Sequence, residues 1–72
     1  MPSAAAIRDR LEAGDEREAL RLAARIKTRK ATFAAIRRAH ECYVRPDFYR
    51  QLGRDPDTEK RRGVEALRRE FS

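Results

Sequence analysis

The chain has 72 residues, of which 42% are charged, and its 18 Lys and Arg outnumber its 12 Asp and Glu for a net charge of +6. That length allows one domain with a modest core; the single Cys42 excludes an intramolecular disulfide, and one His with one Cys falls short of a structural zinc set. The longest apolar runs, such as Ala4 to Ile7, are far below the roughly 20 residues that span a bilayer, and the N-terminus lacks the basic start and apolar stretch of a signal peptide, so no membrane is expected and the expected setting is the cytoplasm.

Mean hydropathy is low, at −0.90, yet the apolar residues recur at helical spacing. The pattern predicts a small all-α bundle of four to five short helices in a single domain over residues 1–72, rather than disorder. The first helix is expected over about 4–13, with Ser3 as N-cap and Gly14 as the left-handed stop. Its stripe is Ala4, Ile7 and Leu11. The second, about 16–27, begins after Asp15, whose spacing to Glu18 is a variant of the capping box. Ala19, Leu22, Ala23 and Ile26 form its apolar arc, and Arg17, Arg21 and Arg25 stack four apart on the far side.

Lys27 to Lys30 read as a polar link with Thr28 as cap, although no Gly or Pro forces a break and one bent helix is the alternative. The third helix, about 29–44, carries Phe33, Ile36, His40 and Tyr43 at 3-4-3 spacing, flanked by Ala35, Ala39 and Cys42, and is expected to be central. Arg45-Pro46 ends it. A short helix over 46–52 follows with Phe48, Tyr49 and Leu52 as its apolar side. Asp55 then caps a helix over 56–71, with Pro56 at its first position and Val64, Leu67 and Phe71 as its seam. Alternating charge along this last helix predicts that Lys60, Arg61 and Arg62 are neutralised by Asp57 and Glu65.

Charge is unevenly spread. From Arg17 to Arg45 nine bases face only Glu18 and Glu41, a local charge of +7, whereas the preceding segment sums to −2 and the following one to +1. Fifteen of the 18 bases are Arg, which suits bidentate contacts to phosphate or carboxylate and equally suits a GC-rich coding sequence. A positive field confined to two helices reads as a surface for an anion.

Catalytic chemistry has little support in the chain. His40 lies in an apolar arc without partners for a triad or a metal, and Cys42 has no C-x-x-C companion, so both read as packing residues. No Gly-rich phosphate loop, H-E-x-x-H or paired carboxylates occur. The expectation is a protein that is not an enzyme, with no cofactor and no metal. Tyr43, Phe48 and Tyr49 alternate with Arg45, Arg50 and Arg54 as in a base-stacking platform, but a core this small needs most of its five aromatics.

Two resemblances add to this. L-E-A-G-D-E-R-E-A-L-R-L-A, from Leu11 to Ala23, resembles the turn between the helices of a tetratricopeptide repeat, as a single unit where stable arrays need about three. V-R-P-D-F-Y-R-Q-L-G-R-D-P, from Val44 to Pro56, with R-E-A-L-R-L-A-A at Arg17 to Ala24, is similar to short helical proteins encoded by phages and prophages of proteobacteria. That resemblance implies a small accessory or regulatory protein, including an inhibitor of a host system, and no particular activity.

The expected function is non-catalytic nucleic-acid binding or regulation, with phosphate contacts from Arg17, Arg21, Arg25, Lys27, Arg29, Lys30, Arg37 and Arg38. The ligand is a duplex or a single strand. The alternative is an adaptor or inhibitor whose basic face docks on an acidic or nucleic-acid-binding protein surface. Either reading accommodates a homodimer, because a short chain gains apolar burial by pairing.

Overall fold

Helix starts in this chain are set by short side chains that take up otherwise free backbone N–H groups. In the computed structural model, which describes residues 3–71, Ser3 Oγ accepts from Ala6 N at 3.1 Å and opens α1, Ala4–Glu12. Gly14, at φ +79°, turns the chain, and Asp15 accepts from Glu18 N at 3.3 Å to open α2, Glu16–Ala24. Only half of the capping box forms. Glu18 turns outward to Arg21, and Asp15 N donates instead to the Arg10 carbonyl at 2.9 Å.

The second and third helices are separate. α2 ends at Ala24, three residues before its expected limit, and α3, Ala31–Val44, starts two residues after its expected start, with no side-chain cap at Lys30. Thr28 is not the cap; its hydroxyl accepts from Lys30 N at 3.3 Å within the link. The reason lies nine and eleven residues away, where Arg37 donates from both terminal nitrogens to the carbonyls of Thr28 at 3.3 Å and Ile26 at 3.4 Å. Those carbonyls are held by a guanidinium rather than by a following turn of helix. α4, Pro46–Gln51, and α5, Pro56–Phe71, follow, the latter capped by Asp55, which accepts from Asp57 N at 3.3 Å and Thr58 Oγ1 at 2.7 Å.

The five helices make one small all-α bundle, and its most extensive contact is α3 against α5. The two helices come close at Gly63, where an added Cβ would collide with the Ala39 methyl and stand 3.1 Å from the Ala35 carbonyl oxygen. α2 packs on α3, and α1 on α2. The molecule measures 35 × 26 × 19 Å. Ile7, Leu20, Ile36 and Leu67 are fully enclosed, and Phe33 meets Phe71 edge to face with centroids 6.1 Å apart.

Several expected core positions are displaced. Ala4 is exposed, leaving Ile7 and Leu11 as the buried stripe of α1. In α2 the enclosed residues are Ala19, Leu20 and Ala23, while Leu22 and Ile26 sit at the core's edge. The arc is rotated because α2 touches α5 as well as α3, and Leu20 reaches toward Gly63. In α3, Ala39 and Cys42 are buried, and His40 and Tyr43 are half-buried; the near approach of α5 favours small side chains at the centre of the arc. α4 buries nothing. Phe48 and Leu52, with Val44 at the end of α3, are 46%, 59% and 55% exposed, so two of the three residues of the expected apolar side of this helix face solvent while Tyr49 is half-buried. Among the described residues no helix is long and apolar enough to cross a membrane.

Candidate nucleic-acid interface

Of the eight bases that the sequence points to, five are engaged by neighbouring groups. Arg21 chelates Glu18, its Nε 3.0 Å from both carboxylate oxygens; this hydrogen bond holds the Glu18 carboxyl below its ordinary range and raises Arg21. Arg17 lies 5.5 Å from the centroid of the Tyr43 ring, which Lys60 covers at 4.3 Å. Lys30 bonds Glu70 at 2.9 Å and ties the start of α3 to the end of α5. Arg37 is occupied by the link carbonyls, and Arg38 turns to the other flank of α3, 3.6 Å from Glu59.

Arg25, Lys27 and Arg29 remain. All three are exposed on the segment joining α2 to α3, and none makes an ion pair or a side-chain hydrogen bond among the described residues. Local sequence explains the crowding: this segment contains no acid, so its cations have no partner within a turn. Beside it, α2 and α3 flank an open cleft of about 450 Å³ lined by Arg21, Ala24, Arg25, Arg37, His40 and Glu41. The fork of Arg37 is fixed in that cleft by its two carbonyl contacts, and a guanidinium uses only two of its five N–H groups in making them. The edge thus pairs three exposed cations with one pre-oriented one, an arrangement suited to phosphate oxygens.

His40 lines this cleft, half-buried, at the boundary of the core. Cys42 is enclosed; burial, followed by the charge of Glu59, pushes its thiol above the ordinary range, so it is a poor nucleophile in the native state. No three His, Cys, Asp or Glu side chains among the described residues gather to hold a metal ion.

Sequence reasoning missed Glu59, which is 5% exposed and is the buried charged residue of the core. Its place in the first turns of α5 reads as a helix-dipole acid. The structure surrounds it with Arg38, Arg54 and Arg62. The expected neutralisation of Lys60, Arg61 and Arg62 therefore holds only in part. Lys60 pairs with Asp57 at 3.9 Å and Arg62 with Glu59 at 3.5 Å, while Arg61 makes no ion pair among the described residues.

Comparison with protein-family models, with curated proteins and with solved structures finds no match for this chain.

Proposed function

We propose that this chain is a small, non-catalytic nucleic-acid-binding protein that acts in the cytoplasm as a regulator, of the accessory kind phages encode, and that it grips phosphates along the α2–α3 edge. The observation that carries this reading is the cluster of Arg25, Lys27 and Arg29, exposed and without carboxylate partners among the described residues, beside the fixed guanidinium of Arg37. Uncompensated surface cations attract a polyanion by releasing its condensed counterions, which makes affinity fall steeply with salt. Binding to a generic duplex and to a single strand, titrated with salt, tests it. Reversing Arg25, Lys27 and Arg29 to Glu is expected to flatten the log–log slope by about one for each phosphate no longer neutralised. An unchanged slope in that variant overturns the reading.

A second reading is a protein-docking module for an acidic partner, and the exposed Val44, Phe48 and Leu52 favour it. Apolar groups flanked by Arg45 and Arg50 supply the anchor and the charged rim that protein interfaces use. It predicts a nuclease-resistant complex of fixed stoichiometry that Phe48→Ala disrupts.

A further inference from the structure

Arg38, Arg54 and Arg62 come from α3, from the segment between α4 and α5, and from α5, and the fold brings all three to one carboxylate. Arg38 stands 3.6 Å from Glu59 Oε2; Arg54 and Arg62 stand 3.6 and 3.5 Å from Oε1. The Glu59 side chain is 6% exposed, whereas those of the arginines are 39%, 46% and 65% exposed. A buried carboxylate needs a compensating charge, and one guanidinium supplies it. The other two leave a surplus of two positive charges around Glu59. At these separations the contacts also lie beyond the ordinary N–H···O range of about 2.7 to 3.2 Å, so the ion pairs leave most of the N–H groups free.

Three guanidinium forks held together, with their outer edges in water and their mutual repulsion only partly screened by the carboxylate beneath, have the chemistry of an oxyanion receptor. We propose that Arg38, Arg54 and Arg62, gathered over buried Glu59, form a phosphate-binding site distinct from the α2–α3 edge. Glu59 is the positioning residue. It draws together three cations that would otherwise separate, and its burial keeps it from competing for the outer face. The ligand is a phosphate group, either a free phosphate or one in a nucleic-acid backbone. Arg25, Lys27 and Arg29 take no part in this cluster, so it stands whether or not the α2–α3 edge binds.

The test is a titration of the full chain, observed through the Nε–Hε resonances of its arginines, with inorganic phosphate against chloride at matched ionic strength. Arg38, Arg54 and Arg62 are expected to shift together and saturably with phosphate alone. Joint replacement R54A/R62A, at two exposed positions, is expected to weaken phosphate binding by at least about tenfold, with Arg61→Ala, one residue from the cluster, leaving it unchanged. A response equal to that of chloride, or one that R54A/R62A leaves intact, overturns the proposal. The second arm is a single-stranded oligonucleotide. A salt slope reduced by about two in R54A/R62A assigns the site to backbone phosphate, and an unchanged slope with phosphate binding retained in the parent assigns it to a free phosphate. Because R25E/K27E/R29E leaves this cluster whole, it is expected to retain the phosphate response whether or not the edge binds nucleic acid.

Discussion

Gly63 sets the distance between α3 and α5, and its effect depends on a residue in the other helix. An alanine there would meet the Ala39 methyl and crowd the Ala35 carbonyl oxygen. Overpacking of this kind costs about 1 to 3 kcal/mol, more than the gain of up to about 1 kcal/mol from replacing a helical glycine. Gly63→Ala is therefore expected to lower the melting temperature, and Ala39→Gly in the same chain to recover part of the loss. A melt of the single variant at or above the parent value counts against close packing. The stripe Val64, Leu67 and Phe71 is readable from spacing within α5, but Gly63 is not, because a glycine in a helix looks like a weak helix former until its partner is known. Ile36 is readable as core and is fully enclosed; Ile36→Ala is expected to cost about 2 to 5 kcal/mol in a denaturant melt. Cys42, with its thiol raised by burial, is expected to react with a thiol reagent only as fast as the chain unfolds.

Helix boundaries follow from how far away the groups that fix them lie. Ser3, Asp15 and Asp55 bond N–H groups three or fewer residues on, so these starts can be read directly in the chain. The end of α2 and the start of α3 cannot, since they depend on Arg37 reaching back to Ile26 and Thr28. Removing that side chain frees two carbonyls, and Arg37→Ala is expected to lower stability by about 1 to 3 kcal/mol, measured by denaturant melts. Arg37→Lys, which lacks the fork, should recover little of it. At the other end of the chain, the Thr58 hydroxyl and then the Asp57 and Thr58 backbone hold the Asp55 carboxyl below its ordinary value of 3.8. A carboxylate with a depressed folded-state value stabilises the helix above its unfolded value and loses that contribution as pH falls through the folded one. The helical signal of α5 is thus expected to weaken below about pH 4 in the parent, and Asp55→Asn, which caps without ionising, should lose that part of the pH response.

For the whole molecule, the division of charge along the chain shows where cations crowd, but the fold decides which of them are free. Lys30 finds Glu70, Arg68 finds Glu16 at 3.2 Å, and Arg38 finds Glu59, each across a helix boundary and far along the chain. Such pairs leave no periodic trace, so spacing alone does not tell Arg25, Lys27 and Arg29 from Lys30 or Arg38. The fold itself is better specified, because every helix keeps an apolar side, except that α4 turns Phe48 and Leu52 outward. Since α4 buries no side chain, its backbone hydrogen bonds are supported by little beyond the helix. Amide protons of residues 47–51 should therefore exchange with solvent deuterium through local opening that denaturant barely affects, while those at the centres of α3 and α5 wait for global unfolding. That exchange pattern would mean that α4 melts and re-forms while the bundle stands, and a ligand seated on Val44, Phe48 and Leu52 would then select a shape for α4 at little cost to the core.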